Sequence, residues 1–542
     1  MTVSRRQFLT YLGVGSYALL RNPHAAADRA DFPLRRRLAE PPPFFKPVAA
    51  SREDRLILPD GFRFDILAAW DDPLGSSGPF GPERFGFNND FLAYFPINAL
   101  AGGCDTEEGL LWVNHEYPSA LFVGGHRGPQ KKGAACVQAE KLSVGGSVIH
   151  ILRQKGVWQR KLDSKYTRRL TALYPQIGAD GPASERVGPA TGTYANCAGG
   201  QTPWHTALSC EEGYDEPNNP KGWRWCDVPD GAVDESRYGW VVEVDPFGEL
   251  PPVKHTALGR FMHENASVRL GPTARVVVYM GDDAPDQFLY KYVSAGRFDP
   301  RASRATNQKL LSDGTLYAAD FRNGKWLPLD IARKPVLRWG GFKTQTDVLT
   351  RTRQAAKGLG ATPVDRTEDT EIHPKDGSLY VAMTGNPGHG NFYGQLVRLV
   401  EDHDDPEGEG FRFEIFLAGG PQCGIAYPDN LAFDRDCNLW VCSDVSTSDL
   451  GKGAYTPFAN NGLWVVPTAG PAAGDAFQFA SGPVDCELTG PWFAPDGSTL
   501  FLSVQHPGEM TTDPATPTSQ WPTGNGLPRP AVVAIGGFPR PS

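Results

Sequence analysis

Residues 438–444 read NLWVCSD and residues 462–467 read GLWVVP. Both are short runs rich in Leu, Val and Trp, which favour β-strands, and they stand next to turn-forming Gly and Asp residues. Similar runs recur at 64–69, 275–280, 289–293, 315–321, 379–383, 395–400, 500–504 and 531–535. Many short strands without a helical period favour a propeller over a sandwich. We therefore predict an all-β protein, a β-propeller with irregular loops and small helical insertions.

Residues 365–384 read DRTEDTEIHPKDGSLYVAMT, so acids and one arginine precede a strand. Carboxylates this close repel one another by up to ~1 kcal/mol per pair even in water. They stay together either because they face bulk solvent or because cations hold them. Acid-bearing strand ends recur along the chain, and Arg366 stands among these carboxylates. We therefore predict a metal-dependent enzyme that acts on an anionic group.

Other polar groups stand in or beside similar apolar runs. Asn89 belongs to an Asn-Asn-Asp stretch that suits either a hard cation or simple Asx turns. His115 ends the run at 110–113, and Glu211 and Glu212 end another. Cys197 lies in a loop of small residues, where a buried thiol, a disulfide partner or a metal ligand would each fit. Further candidates of this kind are His263, Glu264, Asp283 and Asp429.

Composition narrows the classes of function. The formal net charge is −9, which makes nucleic acid an unsuitable specific partner. The sequence has no apolar segment near the ~20 residues that span a bilayer, so we expect no stable membrane insertion. The cysteines show no repeated C-x-x-C spacing, which excludes a zinc ribbon. Because their number, nine, is odd, at least one thiol stays outside any set of disulfides.

The amino terminus predicts an export signal. Arg5 and Arg6 precede a weakly apolar run at 8–20, and Ala25–Ala27 offers a cleavage site. Paired arginines favour the twin-arginine (Tat) route over an ordinary secretory signal. We therefore predict a signal peptide at 1–27, Tat machinery as partner, and a periplasmic or secreted protein. Residues 28–57 predict an extended arm, and residues 58–542 a single catalytic propeller with an insertion around 125–190.

Taken together, these motifs resemble the PhoX-type alkaline phosphatase family. The matching segments occur in the family's order and cover nearly all of residues 58–510. They are residues 86–91, 112–117, 196–212, 259–264, 281–283, 365–371, 428–433 and 489–509. Two positions depart from the family pattern, since His205 stands where glycine is expected and Thr367 where proline is usual.

The resemblance implies a six-bladed propeller that hydrolyses phosphomonoesters with ferric iron (Fe³⁺) and calcium, and we expect a monomer. By position, Cys197 would give a thiolate to iron, with Glu264 and Glu368 as iron-side or bridging carboxylates. Arg366 and Asn89 would bind substrate, and Arg366, Glu368 and His115 are the candidate catalytic residues. The implied calcium ligands are Glu211, Glu212, Asp283, Glu371 and Asp429.

Two alternatives remain open on the sequence. A calcium-dependent propeller lactonase or esterase would also use the Pro-Asp-Asn strand at 428–430, but it would need neither Cys197 nor an arginine beside Glu368. A binding propeller stabilised by calcium would show no turnover and would tolerate Arg366→Ala.

Overall fold

The structure is a computed structural model that describes residues 44–539, and these residues form six sheets of four to six strands arranged around one axis, with two further two-stranded sheets. Strands hold 37% of the residues and helices 12%, so the predicted six-bladed, all-β propeller is confirmed. The predicted signal peptide at 1–27 and residues 28–43 of the predicted arm lie outside the described residues.

The strands are numbered in chain order. Before the first blade come β1 (Arg63–Ala69), β2 (Pro73–Gly78) and β3 (Gly81–Arg84). Blade 1 holds β4 (Asn89–Pro96), β5 (Glu108–His115), β6 (Gly145–Gln154), β7 (Val157–Arg160) and β8 (Arg168–Leu170). Blade 2 holds β9 (Gln176–Asp180), β10 (Ala190–Thr191), β11 (Asn196–Gln201), β12 (Ala207–Glu211), β13 (Val241–Val244) and β14 (Val253–His255).

Blade 3 holds β15 (Ser267–Leu270), β16 (Val276–Met280), β18 (Tyr290–Ser294), β19 (Gly314–Asp320) and β20 (Lys325–Pro328), while β17 (Pro285–Gln287) pairs with β21 (Val364–Asp365). Blade 4 holds β22 (Thr367–Ile372), β23 (Leu379–Met383), β24 (Gln395–Glu401) and β25 (Phe411–Ala418). Blade 5 holds β26 (Pro428–Phe433), β27 (Asn438–Ser443), β28 (Gly462–Pro467) and β29 (Phe477–Ser481). Blade 6 holds β30 (Glu487–Phe493), β31 (Thr499–Gln505), β32 (Ala531–Gly536) and β1.

Helices are short and lie in the connections between strands. The α-helices are α1 (Ala134–Ser143), α2 (Ser184–Val187), α3 (Arg304–Gln308), α4 (Val336–Trp339), α5 (Gln345–Thr350) and α6 (Thr352–Leu359). The 3₁₀ turns are Ala99–Ala101, Trp225–Asp227, Glu235–Arg237, Thr256–Leu258, Lys309–Leu311, Pro387–His389, Asp402–Asp404 and Gly453–Tyr455. None of the helices within residues 44–539 is long and apolar enough to cross a membrane.

The innermost strands β4, β11, β15, β22, β26 and β30 contact one another in this order, and β30 contacts β4. Blade 6 joins the two ends of the described chain, because β1 pairs with β32 in an antiparallel register that sets Phe64 opposite Ile535. Adjacent blades pack through apolar side chains, as where the Tyr94 ring of blade 1 stacks 5.6 Å from the Phe501 ring of blade 6. This packing fixes the innermost strands around the axis.

The described part of the predicted arm lies along the outer edge of blade 5. The backbone N–H of Val48 donates to the carbonyl of Gln478 at 2.9 Å, and Ile57 forms a bridge with Ser481. Phe45 packs edge-on against Phe479 with ring centroids 5.2 Å apart. The arm therefore covers the unpaired edge of β29, which would otherwise be open to pairing with another chain.

The irregular insertion is shorter than the predicted 125–190. Residues 145–160 form β6 and β7 of blade 1, and β9 and β10 belong to blade 2. Two basic residues of this segment lie in the β6–β7 hairpin: Lys155 occupies its turn with φ +52°, and Arg160 ends β7. Residues 145–151 of β6 are buried within blade 1, so this boundary is corrected.

Candidate metal centre

Five innermost strands share one irregularity near their start. In blade 1, three steps along β4 from Asn89 to Leu92 oppose only two steps on β5. The same one-residue shift follows Asn196, Thr367 and Pro428 in blades 2, 4 and 5. In blade 3, it lies between the His263–Asp282 bridge and the first pair of β15.

Such a bulge redirects a side chain out of the regular pleat. The residue that follows the paired position is a carboxylate or a thiol in all five cases: Asp90, Cys197, Glu264, Glu368 and Asp429. Blade 6 has a similar shift after Thr489, two residues beyond Glu487. The innermost strands thus direct these carboxylates and the thiol toward one end of the axis.

The second strands of the blades return to that same end, because neighbouring strands are antiparallel. Polar groups stand just beyond five of these strands, and they are Glu116, Glu212, Asp283, Asp444 and His506. We call the combined set the axial cluster: Asp90, Glu116, Cys197, Glu212, Glu264, Asp283, Glu368, Asp429, Asp444, Glu487 and His506.

Distances within the axial cluster suit metal coordination. Ligand atoms lie within 4.8 Å of one another in the four groups Asp90–Glu116–Cys197, Cys197–Glu212–Glu264, Glu264–Asp283–Glu368 and Asp444–Glu487–His506. The Cys197 Sγ lies 3.2 Å from both Asp90 Oδ2 and Glu264 Oε1, so it joins two of these groups. The pKa of Asp429 is raised by burial and by the nearby Glu487 carboxyl, so acids of blades 5 and 6 also lie close together.

Burial and mutual repulsion act together on these acids. Burial raises the pKa of Glu264, and the nearby Glu368 and Asp429 raise it further. Burial also raises the pKa of Asp90 to about 6. The pKa of the Cys197 thiol is likewise raised by burial and then by Asp90. So many buried negative groups are stable as anions only when positive charge lies among them.

The donor set fits the metals that the family resemblance implies. Carboxylate oxygens are the ligands that calcium takes, six to eight at a time. A thiolate among carboxylates adds one soft donor, which suits a transition metal such as iron better than calcium. The axial cluster contains both types of donor, with Cys197 between Asp90 and Glu264.

Arg366 lies at the edge of the axial cluster. Its Nε and Nη2 donate to Asp283 Oδ1 and Oδ2 at 2.8 and 2.7 Å, and Nη2 is 3.1 Å from Glu368 Oε1. The side chain keeps 27% exposure, so solvent reaches the guanidinium. The Asp283 carboxylate takes up the Nε–Nη2 edge of this guanidinium, so the remaining N–H groups are the ones that can donate to phosphate oxygens.

Blades 3 and 4 approach closely beside this arginine. A Cβ on Gly281 would lie 2.2 Å from the Glu368 carbonyl and 2.4 Å from the Thr367 carbonyl. Only glycine fits at that distance, and this close approach lets Asp283 of blade 3 reach Arg366 and Glu368 of blade 4.

Among the residues predicted from the sequence, the structure brings Cys197, Glu212, Glu264, Asp283, Glu368 and Asp429 into the axial cluster, with Arg366 beside them. Glu211, Glu371, His115 and Asn89 lie elsewhere. Glu371 lines an axial cavity of about 320 Å³, where burial raises its pKa to about 7. His115 packs inside blade 1, with Nε2 2.8 Å from Ser147 Oγ and its ring edge-on to Phe85.

The Asn89 side chain is fully buried, and neither of its polar atoms has a hydrogen-bond partner among the described residues. The same is true of the neighbouring Asn88. Buried amides are normally satisfied, so an unpaired pair beside Asp90 indicates bound water or an ion at this point.

Glu211 points away from the axis because neighbouring residues in a strand face opposite sides. Its Oε1 accepts from Lys254 Nζ at 2.6 Å and from Thr193 Oγ1 at 2.8 Å, while Oε2 accepts from the backbone N–H of Gly239 and Trp240. Both Glu211 and Lys254 are fully buried. Glu211 therefore lies outside the axial cluster, whereas Glu212 belongs to it.

Lys254→Met should destabilise the protein by about 3–5 kcal/mol, since it leaves the Glu211 charge buried without a partner. The midpoint of denaturant unfolding measures this loss. Lys309→Met is the matched control, because Lys309 forms a 2.6 Å pair with Asp180 but is 68% exposed. The control should cost less than about 1 kcal/mol. Equal small losses in both variants would contradict this assignment of Glu211.

The sequence motifs left Glu116, Asp444, Glu487 and His506 without a predicted role. Asp444 directly follows the apolar run of β27, as Glu212 follows β12, so the rule that selected Glu212 would have found it. Glu487 begins its strand instead of ending one, and no pattern in the sequence marks it.

Comparisons with known proteins agree with this geometry. Residues 44–508 match the family model described as alkaline phosphatase PhoX. A solved structure of Pseudomonas fluorescens PhoX in complex with vanadate, a transition state analogue, matches with a TM-score of 0.79 and 31% identity. The alignment covers 91% of this chain and 97% of that chain.

A gluconolactonase from Xanthomonas campestris aligns over 91% of this chain and 98% of that chain, with a TM-score of 0.31 and 11% identity. None of the curated proteins compared matches the chain. Because the family model matches residues 44–508, which is most of the sequence, the chain belongs to the PhoX family of alkaline phosphatases.

Proposed function

We propose that this protein releases inorganic phosphate from organic phosphate esters outside the cytoplasm, using iron and calcium bound by the axial cluster. The observation that carries the proposal is the Arg366 fork held by Asp283 and Glu368 at the edge of that cluster. Family membership supports the same reaction.

Within the axial cluster, Cys197, Glu264 and Glu368 would hold iron. Calcium would be held by the oxygen donors around them, which are Asp90, Glu116, Glu212, Asp283, Asp429 and Asp444. When bound, these ions supply positive charge that stabilises the phosphoryl group as its ester bond breaks.

The chain itself binds and orients the substrate. Arg366 presents planar N–H donors that suit two oxygens of a phosphate dianion. Asp283 and Glu368 hold the guanidinium in place, and both lie on hairpins fixed by strand pairing in blades 3 and 4. The partly exposed arginine lets an ester enter from solvent with its phosphate foremost.

Hydrolysis of p-nitrophenyl phosphate by the purified protein tests the reaction, and inorganic phosphate should inhibit it. Assays on cytoplasmic, periplasmic and culture fractions test the proposed twin-arginine export. Lactone hydrolysis without phosphatase activity would favour the lactonase alternative, and no turnover would favour a binding propeller. Activity confined to the cytoplasm would contradict export.

Strong chelation should abolish phosphatase activity and lower the melting temperature by about 8 °C or more. The two losses should occur together because the ligands come from separate blades, and the ions join those blades. A thermal unfolding scan with and without chelator measures this, and restored calcium and iron should reverse it. An unchanged melting temperature in excess chelator would show that the ions do not join the blades.

A further inference from the structure

Arg366 has a backbone conformation that needs support. Its φ is +56°, in the left-handed region that non-glycine residues rarely occupy. Such a conformation persists only where the surroundings over-determine it. Part of that support is backbone pairing, since the N–H of Thr384 donates to the Arg366 carbonyl at 2.9 Å and the N–H of Gly385 to the Asp365 carbonyl at 3.1 Å.

The loop at 386–394 holds the preceding side chain. The Asp365 carboxylate, only 3% exposed, has Oδ1 3.0 Å from His389 Nδ1 and Oδ2 3.1 Å from Asn391 Nδ2. The loop is itself braced, because Asn386 and Asn391 pair through their backbones and Asn391 Oδ1 accepts from the Gly394 N–H at 3.0 Å. Both oxygens of Asp365 are therefore fixed by this loop.

His389 also contacts a second carboxylate. Its Nε2 lies 3.3 Å from Asp286 Oδ1, and Asp286 is part of β17, which pairs with the β21 strand that contains Asp365. Three residues before Asp286, Asp283 binds the Arg366 guanidinium through both oxygens. The contacts thus form a closed ring from Asp283 through Arg366, Asp365 and His389 to Asp286.

We propose that His389 is a positioning residue for phosphate binding. It fixes Asp365, the residue before Arg366, and through Asp286 it fixes the loop whose Asp283 binds the Arg366 guanidinium. This inference rests on the proposed function of Arg366. His389 belongs to none of the metal-ligand groups found within residues 44–539, so its replacement removes no donor of the axial cluster.

His389→Ala should raise the inhibition constants of inorganic phosphate and vanadate about tenfold to a hundredfold and lower kcat/KM similarly, because small displacements of a substrate-binding group have effects of this size. Iron and calcium content and the melting temperature should stay at wild-type values. His389→Gln, which keeps an N–H donor, should recover part of the affinity for phosphate.

The matched control is His373→Ala. His373 lies in the same blade and is 3.1 Å from the Asp376 carboxylate, but it follows the far end of β22. This control should bind phosphate as the wild type does. A wild-type phosphate inhibition constant in His389→Ala would overturn the inference while leaving the proposed function in place. Loss of metal or of folding in His389→Ala would also overturn it, since that would show a general structural role.

A wild-type protein that neither hydrolyses phosphomonoesters nor binds phosphate would instead refute the proposed function, and the inference with it.

Discussion

Arg366→Ala is expected to lower kcat/KM for p-nitrophenyl phosphate by about a thousandfold, the scale seen when a charged donor to a phosphoryl group is removed. The guanidinium is a partly exposed cation held against two carboxylates of the axial cluster. Arg366→Lys should recover little, because a point charge cannot make two parallel hydrogen bonds. Steady-state kinetics with phosphate as competitive inhibitor would measure both variants.

Arg333→Ala is the matched control for this experiment. Arg333 also pairs with a carboxylate, Glu409, but lies outside the axial cluster and is 43% exposed. Its removal should leave kcat/KM unchanged. If Arg366→Ala kept activity within about tenfold of the wild type, a loss of only ~1.4 kcal/mol of transition-state binding, phosphate would have to bind elsewhere.

Cys197→Ser is expected to remove both visible absorption and phosphatase activity. Cys197 is the cysteine that the metal-ligand groups within residues 44–539 contain, and its Sγ lies between carboxylates of blades 1 and 3. A ferric thiolate absorbs visible light, whereas a serine oxygen would remove that absorption and hold iron more weakly. Absorption spectra, iron content and turnover measured on one preparation would test this.

Cys423→Ser provides the control for the loss of a thiol. The Cys423 Sγ contacts the backbone carbonyls of Ala418, which ends β25, and of Gly420 in the connection between blades 4 and 5. It belongs to none of the metal-ligand groups of the described residues. This variant should stay coloured and active. A Cys197→Ser protein that is still coloured and active would refute the thiolate assignment.

The propeller could be predicted from the sequence because its strands are short runs of Leu, Val and Trp between turn residues. The hairpin at 145–160 escaped prediction because the charged residues Lys155 and Arg160 stand at its turn and its end. Strands buried on both faces, such as β16 and β23, read as continuous apolar runs, whereas β7 alternates between buried and exposed residues and leaves a weaker pattern.

Part of the axial cluster could be predicted from the sequence because some of its acids directly follow strands. An acid directly after an apolar run, such as Glu212, marks a strand end that faces the axis. Two adjacent acids face opposite sides, however, and only pairing with the neighbouring strand shows that Glu212 faces the axial cluster while Glu211 meets Lys254. The bulges that redirect Asp90 and Glu368 are likewise visible only in the register with their partner strands.

Glu371 illustrates the limit of transferring roles by position. It lies three residues beyond Glu368 on β22, past the bulge. Its side chain lines the axial cavity instead of joining the axial cluster. The cavity is lined by residues of all six innermost strands, and Glu371 faces Asp369 there without joining any metal-ligand group of residues 44–539.

We propose that bound ions hold the carboxylates of separate blades together at one end of the propeller axis. Anomalous diffraction from crystals of the active protein, recorded at the iron absorption edge and at a wavelength where calcium scatters anomalously, tests it most directly. We expect an iron peak beside Cys197, Glu264 and Glu368, with calcium peaks among Glu212, Asp283 and Asp429. An active protein with no anomalous peak among these side chains would contradict it.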